Sequence, residues 1–282
     1  MNHTQALQAL ALKIRIGAVE QFKARGFGHV GGALSVCDLL AVLYGGEMRV
    51  RPQQPDWPQR DKLVCSKGHA GPAVYAALAV SGYFPYEEIK TLNQPGTHFP
   101  SHCDRTKTPG VDMTTGSLGQ GASLAVGMAL GDKLKGLDSR VFLILGDGEL
   151  DEGQPWEAAM LAAHRGLDNM IWCVDWNKKQ LDGRVKDILN PLDFAAKFSA
   201  FGFHTQQVNG GDVEAIQAAI SACAQAKGRP HCLVLDTVKG AGVPEVEQTE
   251  YNHSLNVTAQ QCDNWLAGLR AQLEELEGGG EQ

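Results

Sequence analysis

The stretch Arg140-Val141-Phe142-Leu143-Ile144-Leu145-Gly146-Asp147-Gly148-Glu149 decides the reading of this chain. Arg140 to Leu145 is a near-continuous apolar run, as expected of a strand whose two faces are both covered. It stops at a Gly-Asp-Gly turn. Ligands in open α/β sheets bind at the C-terminal ends of the strands, and the turn lies there. Glycines on either side of Asp147 let the main chain approach a phosphate while the carboxylate faces a cation. The helix starting near Gln154 offers unpaired N–H groups to an anion. The next strand, Met170 to Asp175, ends in Trp176-Asn177-Lys178, so two adjacent strand ends present Asp147 and Asn177 to one spot. An aspartate oxygen, an amide oxygen and a backbone carbonyl suit magnesium, which takes hard oxygen ligands and shares substrate phosphates. Alone, Gly-Asp-Gly is an ordinary turn and Asn177 an ordinary cap; the spacing of the two gives them chemical meaning.

Working outward, Leu7, Leu10, Ile14, Ala18 and Phe22 fall on one face of a first helix, which Gly26, Gly28, Gly31 and Gly32 break. A second helix is expected from Ser35, as N-cap, to Leu43. Leu63 to Ser66 reads as a short buried strand, followed after Gly68-His69 by an alanine-rich helix to about Val80. The stretch from Asn93 to Gly121 is loop, and a loop that long inside a compact domain is usually functional. Further helices are expected over 122–134, 156–165 and, capped by Asp212, to about Ala226. Further strands are expected over 204–208 and 232–238. Strands alternating with helices imply an α/β fold with a mostly parallel sheet and helices on both faces. Residues 1–274 read as a single domain and 275–282, with three consecutive glycines, as a flexible tail.

Composition narrows the classes. The 282 residues are 43% hydrophobic and 20% charged, which favours neither disorder nor a membrane protein. No apolar run approaches the roughly 18 residues that span a bilayer, and Gln8, Lys13 and Arg15 interrupt any signal peptide. A net charge of -7 argues against general nucleic-acid binding. Seven cysteines, odd in number and without a CxxC pair, read as reduced core thiols of a cytoplasmic protein. Glycine is in excess, 33 residues or about 12% against a usual 7%.

The Gly-Asp-Gly turn followed some thirty residues later by Asn resembles the thiamine diphosphate motif. Five further blocks agree with it. Gly28-His29-Val30-Gly31-Gly32 is similar to the early Gly-His-x-Gly segment of transketolases, and Ser66-Lys67-Gly68-His69-Ala70 to their Ser-x-Gly-His-Ala. Thr114-Thr115-Gly116-Ser117-Leu118-Gly119-Gln120-Gly121, led in by Thr108-Pro109-Gly110-Val111, is close to their Thr-Thr-Gly-x-Leu-Gly-Gln-Gly. Val238 to Pro244 and His253 complete a set that covers about residues 15 to 255. The resemblance is to the N-terminal, diphosphate-binding half of the transketolase family, and it implies the thiamine diphosphate-binding fold.

The resemblance implies roles as well. Asp147 and Asn177 would hold Mg²⁺ by their side chains and Lys179 by its backbone oxygen. Gly148 and His69 would contact the diphosphate, with Gly146 beside them. Gly116 and Leu118 would line the cofactor rings. His29, His102 and His253 would face the ketose donor, where an imidazole can both donate and accept near neutral pH. The carbanion chemistry itself belongs to the cofactor. Two departures stand out: Ser101-His102-Cys103 replaces the family's Gly-His-Pro, leaving His98 as a competitor for His102, and His253-Ser254 replaces His-Gly. Glu152 resembles a family glutamate at the subunit contact, and equally reads as a first-turn carboxylate stabilised by a helix dipole. His3, His164, His204 and His231 lie outside every matched block.

In transketolases the glutamate that activates the aminopyrimidine ring comes from a separate pyrimidine-binding domain, as do most groups gripping the sugar phosphate. The expectation is therefore a split enzyme: this chain as the N-terminal subunit, a separate C-terminal subunit supplying that domain, and an α2β2 assembly. Its reaction would transfer a two-carbon ketol unit from a ketose, expected to be phosphorylated, to an aldose. The rivals are a 2-oxoacid dehydrogenase or deoxyxylulose phosphate synthase subunit, and a non-catalytic thiamine diphosphate-binding module. The former would not be expected to carry the donor-facing histidine blocks, and binding alone does not need them.

Overall fold

Five strands build the central sheet of the computed structural model, which describes residues 1–278. They are β1 (Lys62–Cys65), β2 (Val141–Gly146), β3 (Met170–Trp176), β4 (His204–Asn209) and β5 (His231–Asp236). All neighbours run parallel, in the order β1-β2-β3-β5-β4. Alternate side chains of one strand face two separate cores, because successive residues in a strand point to opposite faces. From β2, Phe142 and Ile144 enter a core formed with α1 (His3–Arg25), α3 (Cys37–Val42) and α4 (Gly71–Val80). Val141, Leu143 and Leu145 enter the other, with α5 (Gln120–Leu134) and α6 (Gln154–His164). This is the two-sided cover that the apolar runs imply.

The ends of α1 follow from local chemistry. Asn2 accepts from the Gln5 amide and the Gln5 side chain accepts from the Asn2 amide, a reciprocal cap. Gly26, in the left-handed region at φ 82°, ends it by donating to the Phe22 carbonyl at 2.8 Å. The following segment departs from expectation. Helix starts again at once as α2 (Val30–Leu34), and Ser35 is not an N-cap. Its hydroxyl donates instead to the Gly32 carbonyl and to Asp175, so the pull of a buried carboxylate outweighs capping. The apolar window Val30–Glu47 is 18 residues long, but it is divided among short helices and 78% buried in the protein.

Two antiparallel ribbons lie outside the sheet. Phe27–Gly28 pairs with Leu255–Asn256, and Lys179–Gln180 with Gly183–Arg184. Beside the first ribbon the Gly31 amide donates to the Asn252 carbonyl at 3.0 Å. A β-carbon on Gly31 would come within 2.5 Å of that carbonyl oxygen, so only glycine allows the approach. At the C-terminus the expected tail is partly wrong. Residues 275–278 belong to α7 (Ala259–Gly278), which packs along α1 through buried Cys262, Trp265, Leu266 and Leu269. Residues 279–282 of that expected tail lie outside the described residues.

At the opposite edge from the strand C-termini, one carboxylate ties the sheet together. Asp61 accepts the backbone amides of Arg49 at 3.0 Å and Arg140 at 2.8 Å, and the Arg140 guanidinium at 2.8 Å. Burial works against its charge, but these amides and the Arg140 guanidinium outweigh it and hold the carboxyl below the usual range. A depressed folded pKa adds stability that is full above the unfolded value near 3.9 and is lost as pH falls through the folded one. Asp61→Asn is expected to cost about 3 kcal/mol at pH 7. The deficit should shrink as both proteins are acidified below pH 4, as urea unfolding across pH would read.

Candidate active site

The C-terminal ends of β1, β2, β3 and β5 meet around one buried carboxylate. Asp175, on the last turn of β3, is fully buried and accepts from Lys67 Nζ at 2.5 Å, Thr237 Oγ1 at 2.5 Å and Ser35 Oγ at 2.7 Å. Asn177 Nδ2 donates to it at 2.8 Å. Burial opposes the Asp175 charge, yet Lys67 and the hydroxyls keep its carboxyl below the ordinary range. The bond to Asp175 also settles the Asn177 amide, turning its Oδ1 away from Asp175.

Beside this pair, Gly146 of β2 sits in register with Asp175, and the turn that follows carries Asp147. Asp147 accepts the amides of Gly148 at 2.8 Å and Lys178 at 2.6 Å. It is buried, and burial together with the nearby Asp175 charge pushes its carboxyl up to about 7. A carboxylate in that position calls for a cation. The Lys179 side chain reaches away to the carbonyls of Glu247 and Thr249, leaving its own carbonyl on the cleft side, where Lys239 Nζ donates to it at 2.8 Å. Among the described residues no cluster of three or more His, Cys, Asp or Glu side chains is arranged to hold a metal. The carboxylate of Asp147, the amide oxygen of Asn177 and the carbonyl of Lys179 are a different set, all hard oxygens, and they fit a small divalent cation.

Four histidine rings stand over this cleft. His29 lies with its ring centroid 5.4 Å from those of His69, His102 and His253, and His69 is 4.8 Å from His253. The ribbon pairing Gly28 with Leu255 is what brings His29 to His253. Gly116, at φ 139°, lets the loop from 114 to 121 pass His102, since a β-carbon there would stand 3.1 Å from the ring. Burial lowers the pKa of all four rings. For His69 and His253 the ammonium groups of Lys67 and Lys239 add to it, taking His253 to about 3. The rings are therefore neutral at pH 7, and each offers one donor and one acceptor.

The cleft itself is walled by Gly146, Asp147 and Gly148 on one side, and by His69, Leu118 and His253 on others. Asn177 and Lys179 complete it. Of the two candidates at 98 and 102, His98 is exposed and offers its carbonyl to Thr108, while His102 belongs to the ring cluster. One expectation fails. The short turn Gly148–Asp151 lies between β2 and α6, so Gly148 and Glu149 line the cleft instead of the first residues of α6. Glu152 is exposed, with its side chain against Gly119.

Residues 6–269 match the family model described as "Transketolase, thiamine diphosphate binding domain". The chain belongs to the transketolase family. It is 48% identical over 270 residues to the 6-deoxy-6-sulfo-D-fructose transketolase subunit SqwG of Clostridium sp. (strain MSTE9), covering 95% of this chain and 96% of that protein. It is 38% identical to an apulose-4-phosphate transketolase subunit of Actinobacillus succinogenes, covering 81% and 83%. Among solved structures it superposes on transketolase from Pichia stipitis with sedoheptulose-7-phosphate at a TM-score of 0.85 and 30% identity. That match covers 97% of this chain and 44% of the Pichia chain. The chain thus spans most of the subunit-type transketolases and less than half of the solved ones.

Sequence reading missed several groups of this transketolase-family site. Lys67 and Asp175 form its fully buried ion pair, Lys239 is 3% exposed beside His253 at 3.2 Å, and Glu149 is 2% exposed behind the turn. A signal existed for two of them: an aspartate ending an otherwise apolar strand, and a lysine inside a glycine-rich block. Lys239 also bears on the rings. Burial, then His102 and Lys239, lower the pKa of His29. Lys239→Met is expected to raise the His29 midpoint toward the ordinary 6.5 in a histidine NMR titration. An unmoved midpoint would remove Lys239 from the account.

Proposed function

We propose that this chain is the diphosphate-binding subunit of a two-subunit transketolase, acting with thiamine diphosphate and Mg²⁺. The observation that carries the reading is the convergence of four neutral histidine rings over an oxygen-lined cleft at the strand ends. Relatives of this length are named as transketolase subunits, which supports a separate partner supplying the pyrimidine-binding domain and its glutamate. An α2β2 assembly fits that division. Seven unpaired, buried cysteines suit a reducing compartment, and the reading places the enzyme in the cytoplasm.

In this reading Asp147, Asn177 and the Lys179 carbonyl hold Mg²⁺, and His69 with the amides around Gly148 takes the diphosphate. Gly116 and Leu118 lie along the rings. Bound thiamine diphosphate supplies the carbanion stabilisation. His29, His102 and His253, being neutral, accept and donate hydrogen bonds to the hydroxyls of a ketose and move protons between them. The substrate is a ketose ending in a phosphate or a sulfonate, the two terminal groups in the names of the relatives. The groups that would choose between them belong to the partner.

Reconstitution tests this directly. Mixed with the partner subunit, cofactor and Mg²⁺, the chain is expected to transfer a two-carbon unit from a phosphorylated or sulfonated ketose to an aldose. No transfer with either donor class and any partner encoded nearby would sink the reading. Separately, Asp147→Ala is expected to abolish Mg²⁺-dependent cofactor binding measured by calorimetry. Retained affinity would refute the metal assignment.

A further inference from the structure

Three of the segments that line the cleft lie far apart in sequence: the loop after β1 beginning at Ser66, the loop that ends at Gly119, and the turn after β2. A single side chain bonds to all three. Glu149 Oε1 accepts the Ser66 hydroxyl and also the Gly119 amide at 2.9 Å, and Oε2 accepts the Gly146 amide at 3.0 Å. Each partner is one residue from a group in the cleft: Ser66 precedes Lys67, Gly119 follows Leu118, and Gly146 precedes Asp147. The carboxylate is 2% exposed, and its bonds are all made within the chain, which leaves it little for a ligand. An ionised carboxylate is an acceptor only, and all three partners are donors, so the match is complete as it stands.

We infer that Glu149 is a positioning residue that fixes the distance between the ring-lining Leu118 and the metal and diphosphate end at Asp147. Thiamine diphosphate would engage both at once, and among the described residues no other side chain bonds both to the loop ending at Gly119 and to the turn after β2. The inference rests on the reading of the cleft as a thiamine diphosphate site. Glutamine in its place keeps the shape but brings an NH₂ group. Either amide orientation sets that NH₂ against a main-chain N–H, of Gly119 or of Gly146, and one bond across the cradle is lost.

The test uses the reconstituted two-subunit enzyme. Glu149→Gln is expected to raise the Kd for thiamine diphosphate, read by calorimetry with Mg²⁺ present, and its KM about tenfold or more, with kcat at saturating cofactor within about threefold of wild type. Ser66→Ala, which leaves both amide bonds in place, is expected to raise that KM only about threefold. A role in fold stability alone would lower the amount of folded enzyme and leave the KM unmoved. Glu149→Gln with wild-type KM, or with a lost kcat at unchanged KM, overturns the inference while the functional reading stands. Should Glu149→Gln fail to fold, an unchanged KM in Ser66→Ala overturns it instead. A wild-type complex that binds no thiamine diphosphate brings down both the reading and the inference.

Discussion

The Lys67–Asp175 ion pair is the constraint around which the site is organised. Two full charges stand in the interior, where neither can be left alone without a large cost. Asp175 is held by an ammonium, two hydroxyls and an amide drawn from the loop after β1, the segment after α2, the loop after β5 and the loop after β3. These elements meet because a buried carboxylate requires all of its lone pairs to be engaged. Lys67 in turn adds to the burial that keeps the His69 and His253 rings uncharged.

The charge pattern around the cleft has two halves. On one side Asp147 is raised by burial and by Asp175, and it is prepared for a cation. On the other, Lys239, His69 and His253 border the same opening with the Lys67 ammonium buried behind them, which suits a phosphate. Lys239 is itself lowered to about 8 by burial and by Lys67, so its proton is held less firmly than that of an ordinary lysine. An anion entering the cleft would relieve the strain among these cations, and a metal would relieve that between the carboxylates. The protein presents two opposite electrostatic debts at one place, and in the proposed reading a metal diphosphate would answer both.

Much of this was legible in the sequence because it is written in short blocks. The parallel sheet followed from apolar runs at Val141 and Met170, and the cleft from Gly-Asp-Gly and Asn177. What was not legible depends on long-range contact. Ser35 looked like a cap because its local sequence fits one; the carboxylate that claims its hydroxyl lies at 175. The C-terminal helix Ala259–Gly278 received no reading at all, because its apolar face is complete only against α1. Glu149 read as part of a turn, since nothing near it reveals that Ser66 and Gly119 converge on its oxygens. Local chemistry is visible in a single sequence, whereas a partner far along the chain is not.

The ribbon that joins Phe27–Gly28 to Leu255–Asn256 carries a consequence for the order of events at the ribosome. His29 emerges long before His253, so the ring cluster cannot close until synthesis has passed Leu255–Asn256. Contacts of such long separation are slow to form and are favoured only once the intervening sheet exists. The five-stranded sheet, complete by Asp236, can form first, leaving the histidine end open until the ribbon closes. Until the ribbon closes, His253 does not stand beside His29 and His69.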